Sequence, residues 1–368
     1  MTTPRLTTPR LQDVDALLTA SRVIVCCGSG GVGKTTVAAS MALRAAGLGR
    51  RAVVITIDPA KRLADALGLD ALRNTPTPVQ LDQQHDHRGT LHACMLDTKA
   101  TFDALVHSEA NSGDQARRIL ENRFYRNISA SLGGTQEYMA SERVHELTTS
   151  GEFDLVVVDT PPTRNALDFL TAPARLTRLL DNRVFRVLML PSRGGLRFVG
   201  NAAQVMLRSV GKALGGDVMA DAIAFFQAFE GMEEGFRRRA TEVSALLRSG
   251  ESSWVLVTSA RDDALAEAAW FADRVGDLGV RIRLLVANRM TPLTVGLPPG
   301  PCIDSDSDPA RAPILAVLAA ARVLARQALE QDAALAPVVK RLGGIPVLRI
   351  PLRPVDVHDL ASLRSMLA

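Results

Sequence analysis

A loop rich in glycine, with a lysine and two threonines at its end, stands near the start of the chain. The run reads Gly28-Ser29-Gly30-Gly31-Val32-Gly33-Lys34-Thr35-Thr36. It fits the P-loop pattern G-x-x-x-x-G-K-[ST], in which glycines let the backbone wrap around phosphates and helix N–H groups face the anion. Lys34 would reach the β- and γ-phosphates as a point charge, and the Thr35 hydroxyl would hold Mg²⁺. The run therefore predicts a nucleotide site formed by all of these residues.

The residues on both sides of the loop have the composition that a P-loop requires. An apolar, β-branched run at 23–27 indicates a buried strand, and residues 37–43 follow with good helix propensity. Of the 43 Lys and Arg residues, the lysines are Lys34, Lys61, Lys99, Lys212 and Lys340. Lysine at this position favours a phosphate site, because a compact ammonium suits a phosphate cradle. The alternative is a glycine-rich turn that arose by chance.

Apolar strands alternate with helical segments along the rest of the chain. The later strand predictions are 51–57, 91–96, 153–158, 184–190, 254–257, 282–287 and 346–350. Helices are predicted at 11–20, 60–67, 101–110, 114–125, 135–148, 165–180, 197–213, 218–248 and 314–341, with loops at 75–89 and 292–313. The alternation predicts an α/β fold: a doubly wound, mostly parallel sheet with a P-loop, plus a helical insertion. Asp58, Asp159 and Asn288 each follow a strand and should converge on the P-loop, since ligands bind beyond the carboxyl ends of parallel strands.

Length and composition limit the class of protein. The 368 residues are 47% hydrophobic and 22% charged, enough for a sizeable core, and the net charge of +4 is too small to indicate nucleic-acid binding. Four cysteines form no disulfide framework, which fits a reducing cytosol. We expect no signal peptide and no membrane span, so the sequence predicts a cytoplasmic protein. The expected organisation is an N-terminal extension at 1–20 and a P-loop domain at 21–368, with a helical subdomain at about 181–248.

Several segments together resemble the anion-transporting ATPase family. They are the P-loop, Thr56-Ile-Asp-Pro-Ala-Lys-Arg-Leu-Ala-Asp65 as switch I, Gly134-Thr-Gln-Glu137 as a short glycine–glutamate segment, Val158-Asp-Thr-Pro-Pro-Thr163 as switch II, Asn288, and Ile350-Pro-Leu-Arg-Pro354. The family includes the arsenite-pump ATPases and the ATPase that targets tail-anchored membrane proteins, within a wider deviant P-loop class. The resemblance covers roughly Arg22 to the C-terminus, and within the family the chain looks most like the single-domain actinobacterial members.

The resemblance implies catalytic and metal-binding roles for four residues. Lys34 and Asp58 would be catalytic, with Asp58 orienting the attacking water near the γ-phosphate. Thr35 and Asp159 would hold Mg²⁺. A plainer alternative for both aspartates is that each one ends a strand and caps the next helix.

The same resemblance assigns the adenine end of the site. Asn288, Pro351 and Arg353 match the family's adenine-binding positions, and a side-chain amide has the donor and acceptor that match the edge of the base. The alternative for Asn288 is a turn residue after a strand. The implied cofactors are ATP and Mg²⁺.

The chain departs from the family pattern at three points. Members of the family usually have a second lysine at the position of Ser29, which reaches the partner's phosphates across a dimer. A homodimer of this chain would lack that charge. The chain has no C-x-x-C, so the zinc clasp between subunits cannot form. Arsenite pumping needs about three convergent thiolates, whereas Cys26 and Cys27 are expected to be buried and Cys94 and Cys302 remain. Arsenite transport is therefore not expected.

The segment 181–248 alternates arginines with apolar residues. It could be an ordinary helical subdomain, a groove for an apolar client or partner helix, or a surface that lies on an anionic membrane at the inner membrane face. We expect an ATPase that couples its nucleotide state to rearrangement of a homodimer or heterodimer and to client binding, without nucleic acid. The alternative is a weakly active regulatory subunit that needs a lysine-bearing paralogue for hydrolysis. A small-molecule kinase is a third possibility, which the lack of an arginine-rich lid disfavours.

Overall fold

Eight strands of the described residues form one sheet at the centre of the fold. The computed structural model describes residues 11–58, 62–81, 88–128, 135–182, 216–292 and 312–367. The strands are β1 (Val23–Gly28), β2 (Arg51–Thr56), β3 (Thr77–Pro78), β4 (Thr90–Met95), β5 (Leu155–Asp159), β6 (Ser252–Thr258), β7 (Ile282–Met290) and β8 (Val347–Pro351). Their order is β3-β4-β2-β5-β1-β6-β7-β8, and every pairing is parallel except that of β3 with β4. The predicted α/β fold with a mostly parallel sheet is confirmed.

Helices cover both faces of this sheet. They are α1 (Leu11–Ala20), α2 (Lys34–Gly47), α3 (Arg62–Leu67), α4 (Thr98–Glu109), α5 (Gly113–Leu120), α6 (Arg123–Ile128), α7 (Thr135–Thr149), α8 (Thr163–Asp181), α9 (Gly216–Ala228), α10 (Glu233–Arg248), α11 (Asp262–Asp277), α12 (Ala312–Arg341) and α13 (Leu360–Met366). One face is covered by α1, α2, α3 and α13, and the other by α4 to α12. No helix among the described residues is long and apolar enough to cross a membrane.

Strand β1 shows why the sheet is buried on both sides. All of its residues are buried: Val23, Val25 and Cys27 belong to the core under one face, and Ile24 and Cys26 to the core under the other. Successive side chains of a strand point to opposite faces, so a central parallel strand reads as a continuous apolar run. This is the reason that the strand prediction from composition succeeded here.

An aromatic pair anchors the core under α8 and β6. Trp254 is fully buried, its ring lies 6.5 Å from that of Phe169, and its indole N–H donates to the Leu247 carbonyl oxygen at 3.3 Å. A buried indole needs such a partner, because an unpaired N–H in the core costs about 1–3 kcal/mol.

Two predicted helices are each divided in the structure. The predicted helix at 114–125 is broken after α5, where the Asn122 side-chain oxygen accepts from the Phe124 N–H at 2.8 Å and begins α6. The predicted helix at 218–248 is broken between α9 and α10, where Gly231 has a φ of 83°. The predicted loop at 75–89 contains the short antiparallel strand β3.

The described parts of the predicted extension and helical subdomain contribute to the core. Val14 and Leu18 of α1 are fully buried against α2. Helix α10 packs on α7 and α8, and α9 packs on α5 and α6. The strand predicted at 184–190 and the helix predicted at 197–213 lie outside the described residues, so the boundaries of the subdomain stay a prediction.

Candidate functional site

The P-loop connects β1 to α2 and contains two positions that only glycine suits. Gly28 has a φ of 152°, and a Cβ on it would lie 2.0 Å from the Val257 carbonyl oxygen of the neighbouring strand. Gly33 has a φ of 94°, and a Cβ there would lie 2.3 Å from Asn288 Nδ2. Both positions combine a positive φ with a close approach, which side chains other than hydrogen do not tolerate.

The N-terminus of α2 is open toward the loop. Gly33 is the residue before the helix, and no side chain caps the first turn. The N–H groups at a helix N-terminus need acceptors, and together with the helix dipole they favour an anion. The chain thus places a phosphate-binding helix end directly after a glycine-lined loop.

Lys34 is buried inside this loop rather than extended into solvent. Only 8% of the residue is exposed, and its Nζ donates to the Ser29 carbonyl oxygen at 2.9 Å. Burial lowers the pKa of Lys34, while the carboxylate of Asp159 opposes that shift. A desolvated ammonium lacking a full set of partners is prepared to bind a strong anion.

Asp159 lies at the carboxyl end of β5 beside the first turn of α2. Register places it level with Cys26 of β1 and Thr56 of β2. Its Oδ2 accepts from the Thr35 hydroxyl at 2.8 Å and from the Thr56 hydroxyl at 3.1 Å. Burial raises the pKa of Asp159 to about 6, and the two hydroxyls and the Lys34 ammonium act in the opposite direction.

The donor set around Asp159 suits Mg²⁺. The carboxylate and the Thr35 hydroxyl are hard oxygen ligands, which Mg²⁺ prefers, and this ion usually retains several waters. The second carboxylate oxygen of Asp159, Oδ1, is buried without a hydrogen-bond partner, which is an expensive arrangement unless a ligand or ion completes it. The residues present therefore fit a magnesium ion.

Asp58 lies past the end of β2 and lines a cavity of about 210 Å³. The other lining residues are Ile57, Gln136, Glu137, Pro161, Pro162 and Phe169. Asp58 is close enough to the loop for its charge to raise the pKa of both Lys34 and Asp159. Thus the two aspartates that follow neighbouring strands do lie together near the P-loop.

The same cavity contains a carboxylate for which the sequence suggested no role. Oε2 of Glu137, in the first turn of α7, is buried without a hydrogen-bond partner. The preceding residue, Gln136, donates from Nε2 to the Ile57 carbonyl oxygen at 3.3 Å. Helix α7 is therefore attached to the backbone just before Asp58.

Asn288 is not a turn residue after a strand, since it lies within β7. Its Nδ2 donates to the Val32 carbonyl oxygen at 2.8 Å, and its Oδ1 accepts from the Arg289 N–H at 2.9 Å. The Arg289 guanidinium donates to the Gly31 carbonyl oxygen at 3.3 Å. These contacts fix the far side of the P-loop to β7, and the role of Asn288 toward adenine stays a prediction.

The positions expected to bind adenine line one cavity of about 350 Å³ beside the P-loop. Asn288, Pro351 and Arg353 line it together with Gly33 and Thr36. Arg353 donates to the Ser365 hydroxyl at 2.5 Å and also to the Ser365 carbonyl oxygen, so α13 holds its side chain at the cavity wall. The cavity is contiguous with the loop residues that would hold the phosphates.

The cysteines of the described residues are sealed in the core. Cys26, Cys27 and Cys94 are all buried, and burial raises the pKa of each thiol, that of Cys94 to about 12. A soft metalloid needs thiolates, so these three residues do not form an arsenite site in this fold.

Three residues of the site were not identified from the sequence: Thr56, Glu137 as a cavity carboxylate, and Arg289. Thr56 and Glu137 lie within two of the segments on which the family resemblance rests, but their burial depends on strand register and on the packing of α7. Arg289 directly follows Asn288, and its approach to the loop depends on a local irregularity of β7. Spacing along the chain contains no signal for such an irregularity.

A P-loop at the end of a central strand, with a buried lysine, a threonine hydroxyl and an aspartate gathered at the carboxyl ends of parallel strands, defines a nucleotide-binding protein of the P-loop α/β class. The profile of the family described as Anion-transporting ATPase matches residues 21–297, and the chain belongs to this family. The resemblance drawn from the sequence motifs is therefore confirmed.

Individual proteins that the chain resembles share about a quarter to a third of their residues with it over the matched part. The chain is 25% identical to ATPase GET3 of Malassezia globosa over 268 residues, which make up 73% of this chain and 72% of that protein. It is 24% identical to the Putative arsenical pump-driving ATPase of Prosthecochloris vibrioformis over 277 residues, 73% of this chain and 61% of that protein. It is 31% identical to Protein Rv2184c of Mycobacterium tuberculosis over 163 residues, 42% of this chain and 38% of that protein.

Proposed function

We propose that the chain binds ATP with Mg²⁺ and hydrolyses it to ADP and phosphate. The observation that supports this most directly is the junction of Lys34, Thr35 and Asp159, where a buried ammonium and a partly unsatisfied carboxylate meet at a helix N-terminus. Names of relatives that contain the word ATPase, such as ATPase GET3, agree with this assignment. Arsenite transport is not part of the proposal, because the described thiols are buried and protonated.

Each residue of the site has a distinct task in this proposal. Lys34 binds the β- and γ-phosphates and offsets the charge that develops on them, and the N–H groups of the P-loop and α2 hold the same anion. Thr35 and Asp159 hold Mg²⁺, which supplies charge neutralisation for the phosphates. Asp58 orients the attacking water, and it lies close enough to Lys34 and Asp159 for its charge to act on both. Asn288, Pro351 and Arg353 contact the adenine end.

Replacing Lys34 tests the proposal. We expect Lys34→Ala to weaken ATP binding by about ten- to a hundred-fold, the range for losing a charge-assisted hydrogen bond, and to abolish phosphate release. The measurement is titration calorimetry with ATP and Mg²⁺, in parallel with a phosphate-release assay. The matched control is Lys99→Ala, which removes an exposed lysine paired with Asp103 on α4. Failure of the wild-type chain to bind ATP, or unchanged binding by Lys34→Ala, contradicts the proposal.

The uncharged Ser29 favours a second candidate, a regulatory nucleotide-binding subunit. Serine is uncharged, so the loop has no cation at this position to offer to a partner's phosphates, and the Ser29 hydroxyl is buried without a hydrogen-bond partner. In this version the chain hydrolyses ATP slowly alone and forms a heterodimer with a lysine-bearing paralogue. Stimulation of phosphate release on mixing the two chains, with Lys34→Ala of this chain as the control, would select it over an active homodimer.

We also propose that segment 181–248 contacts a client or partner. The candidates are an apolar helix and an anionic membrane surface at the inner membrane face. The protein is otherwise cytoplasmic in this proposal. The support is the alternation of arginine with apolar residues in that segment. Flotation with anionic vesicles, with and without ATP, tests the membrane candidate, and no binding in either state contradicts it.

A further inference from the structure

Arg289 has a backbone conformation that no other described non-glycine residue shares. Its φ of 58° lies in the left-handed region, where every other described residue with a positive φ is glycine. Non-glycine residues in this region cost free energy and concentrate at functional sites, where the surrounding structure maintains them. The conformation is therefore a reason to ask what the Arg289 side chain does.

A β-bulge explains how this conformation arises and where it directs the side chain. Ala287 of β7 pairs with Arg349 of β8, and Met290 pairs with Pro351, so β7 has two residues where β8 has one. A bulge interrupts the alternation of side chains and redirects one of them. Here the consecutive residues Asn288 and Arg289 both contact the P-loop, which a regular strand would not allow.

The guanidinium of Arg289 contacts the P-loop, and the residue lines the cavity beside that loop. It donates to the Gly31 carbonyl oxygen at 3.3 Å, a long hydrogen bond that leaves most of its five N–H donors uncommitted to that oxygen. The side chain is exposed and lines the cavity of about 350 Å³ that also contains Gly33 and Thr36. A cation is thus held at the mouth of the predicted nucleotide site.

The electrostatics of the loop give this cation a task. The loop has one buried ammonium, that of Lys34, while Ser29 is neutral and Asp58 and Asp159 add negative charge nearby. A bound triphosphate, together with these two aspartates, carries more negative charge than the Lys34 ammonium and one Mg²⁺ offset. The planar fork of arginine matches phosphate oxygens in a bidentate manner, which lysine cannot do.

We propose that Arg289 is a binding residue for the phosphate chain of the nucleotide, and that it supplies from within the same chain positive charge that the loop lacks at Ser29. This inference rests on the proposed nucleotide-binding function. It deepens that function by adding a residue outside the motifs on which the family resemblance rests. The phosphate contact that Arg289 would make needs no partner subunit.

Competition binding with a fluorescent N-methylanthraniloyl-ATP probe tests it on the full chain with Mg²⁺. The variant Arg289→Asn removes the charge and keeps a residue type that adopts the left-handed conformation readily. We expect the affinity for ATP to fall by about ten-fold, the size of one charge-assisted contact. Adenosine has no phosphate, so the affinity for adenosine obtained from competition with the probe should be the same for the wild type and the variant. The dependence of ATP affinity on salt should be weaker in the variant, because one ionic contact is gone.

Two further variants separate phosphate binding from a structural role. Arg289→Lys keeps the charge and should recover part of the lost affinity. Arg283→Asn removes another exposed arginine of β7, distant from the P-loop residues, and should leave ATP binding unchanged. Wild-type ATP affinity in Arg289→Asn, or an equal loss for adenosine and ATP, overturns the inference. If the wild-type chain itself binds no ATP, it is the proposed function that fails.

Discussion

At the scale of a single residue, the position of Asp159 in the site requires burial, whereas its negative charge is disfavoured by burial. Its position between Thr35 and Thr56 requires burial, and burial raises its pKa to about 6 from the ordinary value near 3.8. A carboxyl group whose pKa is higher in the folded state binds its proton more tightly there. The protonated group therefore stabilises the fold to the full extent at pH values below the pKa of the unfolded state. That contribution is lost as the pH rises through about 6. At neutral pH the nucleotide-free fold thus contains a destabilising charge.

Asp159→Asn should therefore stabilise the nucleotide-free protein at neutral pH. We expect a gain of about 1–3 kcal/mol in the free energy of unfolding at pH 7.5, since each pKa unit corresponds to about 1.4 kcal/mol. The gain should shrink toward pH 4. Urea denaturation in EDTA at several pH values measures it. A destabilised variant at pH 7.5, or a gain that does not depend on pH, would contradict the assignment of the raised pKa. The same variant should lose Mg²⁺-dependent phosphate release.

At the scale of single residues, the sequence identified those functional residues that belong to a recognisable motif. Lys34, Thr35 and Asp159 lie close together, as the P-loop pattern and the position of Asp159 at a strand end predicted. Thr56 and Arg289 were missed, because their contacts depend on strand register and on a bulge. Register and bulges follow from long-range packing, which is not written in local spacing.

At the scale of elements, α7 connects the cavity beside Asp58 to the helical layer. Its first turn contains Glu137, and its middle contains Glu142, which is only 2% exposed. Glu142 accepts from Arg239 of α10, with an Nε to Oε1 distance of 2.7 Å, and also from the Tyr138 hydroxyl at 3.4 Å. A buried carboxylate with these partners holds α7 to α10 in one relative position.

Breaking this pair should be costly, and replacing both members should not be. We expect Arg239→Met to lower the free energy of unfolding by about 3 kcal/mol, because it leaves the Glu142 charge buried and unpaired. The double variant with Glu142→Leu should recover most of that loss. Chemical denaturation measures both.

The control for this prediction is Arg237→Met, two residues before Arg239 on α10 and therefore on a different face of the helix. Arg237 pairs with exposed Asp181 and Glu234, and exposed ion pairs contribute roughly 0–1 kcal/mol. If Arg237→Met destabilised the fold as much as Arg239→Met, burial of Glu142 would not be the cause.

The sequence predicted the type of most elements but not all of their ends. Periodicity identified the helical content of 114–125 and 218–248, yet it did not identify the breaks at Asn122 and Gly231. Each break depends on one residue that offers the backbone another hydrogen bond or a left-handed conformation. The two-residue strand β3 is too short to give a periodic signal.

At the scale of the whole molecule, the uncharged P-loop position bears on assembly. Gly30 and Gly31, which follow Ser29 in the loop, are exposed. We expect Ser29→Lys to raise the rate of phosphate release at least ten-fold under conditions where the chain with ATP and Mg²⁺ is a dimer by native mass, since finger-type charges contribute several powers of ten.

Ser29→Ala is the matched control and should leave the rate unchanged, because the Ser29 hydroxyl has no hydrogen-bond partner. The double variant Ser29→Lys with Lys34→Ala should be inactive. No stimulation by Ser29→Lys in a verified dimer would contradict a homodimer that lacks only this charge.

The burial of Trp254 has a consequence for how the molecule interacts with light. The chain has two tryptophans, of which Trp254 is fully buried on β6 beside the P-loop strand, whereas Trp270 is 41% exposed. An indole shielded from water emits at shorter wavelength than a hydrated one, and dissolved quenchers cannot collide with it. The intrinsic fluorescence of this protein therefore has two components of different colour, and the bluer one reports on the strand next to the nucleotide loop.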